Sequence, residues 1–184
     1  MPHPELGTRL RALRSERGRS IAEVAEATGI SASFLSLVEN GRSDIAIGRL
    51  MRLIDFYGVG LATLFPETPR TDIEVIRRSE YVHLASGDEG LDLVVLAHGD
   101  QRGMMPFIAA YEQGGGMSEP TPYEGEAFVY ILEGSIGIDF EDGDSVVLGE
   151  GDTATIRSTG RRTYRNAGAG TARLLGVIAR PDNA

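Results

Sequence analysis

From Leu6 to Phe65 apolar residues return every three or four positions, whereas beyond Ile73 they fall into short alternating runs parted by Gly, Asp and Pro. The first period predicts helices and the second strands. Leu6, Leu10 and Leu13 form one stripe that ends at Gly18, and Ser20-Ile21-Ala22-Glu23 is a capping box that opens a second helix. That helix stops at Thr28-Gly29; Ser31 caps a third, with Ile30 and Leu35 placed as a hydrophobic staple. After Asn40-Gly41 a fourth helix runs from about Ala46 to Tyr57, burying Leu50, Leu53 and Ile54 and stopping at Gly58. A last turn from Leu61 to Phe65 makes five short helices.

Pro66 and Pro69 sit among polar neighbours in residues 66–72, a segment with nothing to bury, and there we place a linker. The domains expected are 1–65 and 73–184. Strands are predicted at 74–77, 81–85, 91–97, 107–111, 127–132, 135–140, 145–148, 153–156, 162–165 and 172–179. So many strands in a stretch this short imply a β-sandwich or barrel. Two turns are explicit: Glu133-Gly134, and Glu141-Asp142-Gly143-Asp144 at a hairpin end. The fold class is therefore α + β in two domains.

Composition sharpens this only in places. With 41% hydrophobic and 24% charged residues the 184-residue chain is a folded, soluble protein. No run approaches the roughly 18 apolar residues of a membrane span and the Arg-rich start lacks a signal-peptide core, so no membrane partner and a cytoplasmic location are expected. There is no Cys and only His3, His83 and His98, which removes thiolate sites and nearly excludes a multi-histidine metal centre. His83 and His98 read as satisfied or surface imidazoles. The net charge of −9 is uneven: residues 1–66 carry eight Arg against seven acids, and the remainder ten Arg against twenty acids. All eighteen basic residues are Arg, which reads as codon bias.

Two short helices joined tightly through Gly29 have helix-turn-helix spacing. The residues Leu10-Arg11-Ala12-Leu13-Arg14, Val24-Ala25, Gly29-Ile30-Ser31, Leu35-Ser36, Val38-Glu39-Asn40-Gly41, Leu53-Ile54, Tyr57-Gly58-Val59 and Leu64-Phe65 together resemble the lambda-repressor-like, xenobiotic-response-element class of DNA-binding domains. The resemblance implies a five-helix bundle with the third helix as reader. Ser31, Ala32, Ser33 and Leu37 would meet base edges in the major groove, with Leu37 as well suited to packing on the first helix, and Phe34 half buried beside them. Ser20, Asn40 and above all Arg42 would meet phosphates. It also implies an Arg14–Glu39 ion pair between the first and third helices. Ile21 departs from the pattern, where many relatives carry Gln, and a net +1 is low for a nucleic-acid domain; both argue for modest affinity per monomer, rescued by dimerisation on a two-fold operator. The rival is a protein-docking bundle.

The segment from about Ile73 to Arg180, with Gly134 and Gly151-Asp152 as landmarks, resembles the cupin superfamily, which implies a jelly-roll β-barrel. Aligning the cupin motifs on Gly134, Gly151 and Asn166 puts the metal-ligand positions at Thr121, Tyr123, Ala127 and Arg162. That set offers no imidazole or carboxylate to a metal. Glu124 and Glu126 stand one residue from a ligand position without histidines to accompany them. No cofactor and no metal are expected, so a regulator is favoured over the iron-dependent oxygenases or epoxidases of similar architecture. Alternation points Val129 and Ile131 inward from Ala127, with Tyr130 outward, and Tyr164 inward from Arg162. Thr121, Tyr123, Val129, Ile131, Arg162 and Tyr164 thus form a candidate effector pocket, where Arg162 meets either an anionic ligand or an internal carboxylate, Glu124 or Glu126. The loop 112–122 is a mobile mouth or a hairpin tip, and Met104, Met105 and Met117 are pocket lining or core packing. The resemblance further implies a homodimer joined through the barrel, which either senses an effector or only dimerises.

Overall fold

The computed structural model describes residues 4–64, 73, 75–86, 90–97, 103–121, 125–157 and 160–179; the linker expected at 66–72, His3, His98, Tyr123 and Glu124 lie outside them. Four α-helices come first: α1 (Pro4–Glu16), α2 (Ile21–Thr28), α3 (Ala32–Glu39) and α4 (Ile47–Tyr57). α2 and α3 open on serine caps and α2 and α4 close on glycine, as their sequences signal, whereas Ala46 at the start of α4 makes no side-chain cap. Ser20 Oγ accepts the Glu23 N–H while the Glu23 carboxylate accepts the Ser20 N–H, completing the capping box. Gly29 and Gly58 take the left-handed conformation that terminates α2 and α4 (φ 68° and 62°). The fifth helix expected after Gly58 is a single 3-10 turn, Leu61–Leu64, closed by Thr63 N–H on the Gly60 carbonyl. Four residues are too few to propagate an α-helix.

The stripes meet in one core: Leu10, Leu13, Val24, Leu35, Val38, Leu50, Leu53 and Ile54 are buried, each such side chain contributing roughly 1.5–3 kcal/mol. Gly7 lets α1 and α3 approach. A Cβ there would stand 2.3 Å from the Val38 carbonyl oxygen, so only glycine fits.

Among the described residues nine strands follow: β1 (Val82–Ser86), β2 (Leu91–Val95), β3 (Met104–Tyr111), β4 (Ala127–Glu133), β5 (Ser135–Phe140), β6 (Ser145–Gly149), β7 (Thr153–Ile156), β8 (Arg162–Asn166) and β9 (Ala172–Ala179). The strand expected at 74–77 is absent from the described residues 75–77, which lead into the 3-10 turn Arg78–Glu80; there the Glu80 carboxylate takes the Arg77 N–H that a ladder would need. Strand pairing gives a six-stranded sheet in the order β1-β2-β3-β9-β4-β7 and a three-stranded sheet β6-β5-β8. The barrel expected is therefore not closed among the described residues, where the ladders of the two sheets do not join. Glu133-Gly134 is the reason at one corner: Gly134 (φ 69°) turns the chain from one sheet into the other instead of forming a hairpin, beneath the Thr171 carbonyl where a Cβ would lie at 2.8 Å. The Glu141–Asp144 turn does close the β5–β6 hairpin.

The head docks against this sandwich. Ile47 and Met51 of α4 and Leu61 face Leu91, Leu93 and Met105, and Leu84 of β1 faces Leu6, Val38 and Ile45 across a small crevice. Arg52 Nε lies 3.1 Å from Glu119 Oε2 across the junction.

Candidate functional site

The axes of α2 and α3 are bent 116° from one another across Gly29, within the range of DNA-reading helix pairs. Ser31 Oγ caps α3 by accepting the Phe34 N–H, and lies 3.3 Å from Ser33 Oγ. Leu35, Val38 and Glu39 turn into the core, leaving Ser31, Ala32, Ser33 and Leu37 together on the outer face; Leu37 is 43% exposed, so its apolar side chain is presented outward rather than packed on α1. Phe34 is half buried under the Arg49 guanidinium, 5.1 Å from the ring centroid. Arg49 itself is exposed beside α3, a cation that sequence periodicity on α4 gave no reason to single out.

The three residues expected to meet phosphate are not equivalent. Ser20 has its hydroxyl and its N–H both engaged in the capping box, and the Glu23 carboxylate occupies the helix N-terminus; the Ser20 N–H holds that carboxyl below the ordinary range. Asn40 turns its amide back onto the Ser36 carbonyl at 2.7 Å. Arg42, in the loop after α3, is exposed. Behind that outer face Arg14 grips Glu39 in two charge-assisted hydrogen bonds of 2.7 and 2.9 Å and also donates to the Arg19 carbonyl. The side chains are 14% and 2% exposed, and the Glu39 hydrogen bond raises the Arg14 pKa above its ordinary value. This pair sets the angle at which α3 is shown to solvent.

In the sandwich Thr121, Ala127, Val129, Ile131, Arg162 and Tyr164 are all buried, as strand alternation requires of the five on β4 and β8. Arg162 is 0% exposed and its Nε donates to the Tyr164 hydroxyl at 3.0 Å. Burial raises the Tyr164 pKa while the guanidinium opposes the shift. Glu126 does not serve as the internal partner of Arg162: it pairs with Arg157 at 3.0 Å on the surface. Thr121 and Arg162 exchange both backbone hydrogen bonds.

A cavity of about 40 Å³ lies at the junction of head and sandwich, not around Arg162. Of the five expected pocket residues that are described, Tyr164 lines it, while Thr121, Val129, Ile131 and Arg162 are packed elsewhere in the core. Its wall includes Met51 from α4, Met105 and Phe107 from β3, and Met117. Phe107 reaches it by lying across Gly176 of β9, where a Cβ would meet the ring at 2.2 Å. Met104, by contrast, is 60% exposed. The loop after β3 is no open mouth over its described residues: Met117 N–H donates to the Tyr164 carbonyl, Asn166 N–H to Gly115, and the Asn166 amide to Tyr111, Glu112 and Gly170. His83 is an exposed imidazole 3.4 Å from Asp92.

These two units define the class: a helix-turn-helix domain joined to a cupin domain. Residues 5–64 match the helix-turn-helix domain family and residues 107–178 the cupin domain family. The chain is similar along nearly its whole length to the HTH-type transcriptional regulator PuuR of Escherichia coli (strain K12), with 27% identity over 172 residues, 92% of this chain and 91% of that one. It is similar also to the HTH-type transcriptional regulator SutR of the same strain, with 24% identity over 96% and 95% of the two chains. Among solved structures an HTH_3 family transcriptional regulator from Vibrio cholerae has the same fold at TM-score 0.72 (19% identity, 97% and 96% covered). Hydroxypropylphosphonic acid epoxidase from S. wedmorenis shares the fold more distantly, at TM-score 0.50 (18% identity, 95% and 97% covered), and that enzyme is also solved in an FeII form. Iron does not fit here. The cupin ligand positions within the described residues are Thr121, Ala127 and Arg162, and a buried methyl and a guanidinium offer no lone pair. Among the described residues no three His, Asp or Glu come together as a metal site.

Proposed function

We propose that this protein is a sequence-specific, dimeric DNA-binding transcription regulator: residues 1–65 read DNA, 66–72 link, and 73–184 join two copies and sense an effector. One observation carries the reading. The second helix of a helix-turn-helix pair is anchored by a buried ion pair on one side and offers Ser31, Ala32, Ser33 and Leu37 on the other. Readout rests on the two hydroxyls, apolar contact with thymine methyls and DNA shape, while Arg42 leads the phosphate contacts. The two regulators similar to this chain over more than nine-tenths of its length support the same assignment. Phe128, Tyr130 and Leu132 on the outer face of β4 are exposed, an apolar stripe suited to the second copy. Such a protein works beside DNA, in the cytoplasm, and the chain is not an enzyme: the cupin ligand positions lack the donors that an iron oxygenase or epoxidase needs.

Selection of random duplex DNA on the purified full chain, with metal analysis of the same sample, tests this. A two-fold motif without stoichiometric metal is expected; no enrichment, or one iron per chain, overturns the reading. Arg42→Ala should weaken binding to all sequences alike and lower the slope of log affinity against log salt by about one. An unchanged slope would remove Arg42 from the backbone contacts.

A further inference from the structure

We propose that the junction cavity is a binding site for a small, mainly apolar molecule, and that α4 is its movable wall, so that filling the site displaces the reading head. The site is distinct from the cupin metal position, because neither Thr121, Ala127 nor Arg162 lines it. Its lining is Ile47, Met51 and Leu61 from the head against Leu91, Leu93, Met105, Phe107, Met117, Leu174 and Ile178, with tyrosines at two points. Such a surface gains from burying hydrocarbon and rejects a charged ligand, which would lose its hydration without a built partner. The site calls for an apolar molecule and is separate from the position at Arg162, where an anionic ligand would sit.

Three of the chain's five methionines, Met51, Met105 and Met117, stand in the wall. Unbranched thioether side chains repack around shapes of different outline. At about 40 Å³ the cavity holds a few waters and is several times smaller than the roughly 150 Å³ that accepts benzene. A ligand of six to ten heavy atoms must therefore push a wall outward. The sandwich wall is held by strand ladders and by the hydrogen bonds of Asn166, whereas among the described residues the side-chain ion pair across the junction is the half-exposed Arg52–Glu119 pair, beside side-chain packing. The head is the wall that yields. Its consequence for DNA binding rests on the regulator reading above; the cavity itself does not.

The probe is indole, with 1-hexanol as an aliphatic counterpart, added to full-length protein carrying 13C-methyl methionine. Of the five methyl signals, those of Met51, Met105 and Met117 report the site directly. Saturable shifts at Met51, Met105 and Met117 with Met104 unmoved are expected; shifts at Met104 alone, or none, overturn the site. Glu119→Gln should tighten indole about two-fold by raising the share of displaced heads. Unchanged or weaker binding would show that the head stays in place and overturn the movable wall. If indole binds and DNA selection fails, the regulator reading falls and the site stands; if DNA is selected and no methyl moves, the reverse holds.

Discussion

In the head, Arg14 meets a buried carboxylate in two hydrogen bonds, whereas in the sandwich Arg162 is buried completely and its Nε is directed to a tyrosine hydroxyl. The head spends its polar residues on closing itself: a capping box on α2, a serine cap on α3 and an ion pair between α1 and α3. Beyond the Ser31 cap, α3 leaves Ala32, Ser33 and Leu37 exposed. The sandwich differs at the junction, where flexible Met side chains surround a void. If α3 reads DNA and α4 yields as proposed, occupancy of the void becomes head placement.

The largest way to break that contrast is Glu39→Ala. Removing one partner of a buried pair strands the other charge and typically costs about 3–5 kcal/mol; because Arg14 keeps its bond to the Arg19 carbonyl and is 14% exposed, the lower end is expected. Calorimetry of the full chain should then show the head melting ahead of the sandwich. A single unsplit transition with an unchanged midpoint would mean that the pair does not hold the helices.

Gly7→Ala tests the same rigidity at closer range. The new methyl would meet backbone oxygen, which cannot rotate away, so α1 and α3 must part; overpacking of this kind costs about 1–3 kcal/mol, offset by up to about 1 kcal/mol of helix propensity. A net loss of about 1 kcal/mol in chemical denaturation is expected. Equal or greater stability would show a looser α1–α3 contact than the geometry gives.

How far these features can be read without coordinates differs between the two regions. Helix caps and glycine stops are local, so the edges of α2, α3 and α4 follow from Ser20, Gly29, Ser31 and Gly58 themselves. The Arg14–Glu39 pair was legible through family resemblance, and strand alternation correctly turned Val129, Ile131 and Tyr164 inward. Gly7 was not legible, because its reason is a carbonyl 31 residues further along the chain. Nor was the cavity: inward direction locates a core but not the gap in it, and the gap depends on how α4 docks, which no periodicity encodes. Glu133-Gly134 reads equally as hairpin or corner, since both need a left-handed residue.

The smallest effect concerns Tyr57, buried on α4 behind the Arg14–Glu39 pair with its hydroxyl lacking a hydrogen-bond partner. Burial, assisted by the Glu39 charge, pushes its pKa from the ordinary 10 up to about 12. Below pH 10 the phenol is neutral in folded and unfolded chains alike, and its contribution to stability is complete. Between pH 10 and about 12 the unfolded chain releases the proton while the folded head retains it, so stability falls across that window. Tyr57→Phe removes this linkage. At pH 7 it should leave the helical melting transition unchanged or stabilised by up to about 1 kcal/mol, since no hydrogen bond is lost. At pH 11 the gap in favour of the variant should widen, read by far-ultraviolet circular dichroism of the head. Tyr164 supplies the comparison from the sandwich: its pKa is also raised by burial, but its hydroxyl accepts from Arg162, so Tyr164→Phe removes a partner from a buried guanidinium and should destabilise at pH 7. Two buried tyrosines with raised pKa values would then respond in opposite directions at neutral pH. A loss of head stability in Tyr57→Phe equal to the loss in Tyr164→Phe would show that the Tyr57 hydroxyl is engaged after all, and with it that the interior of the head is wetter than its packing implies.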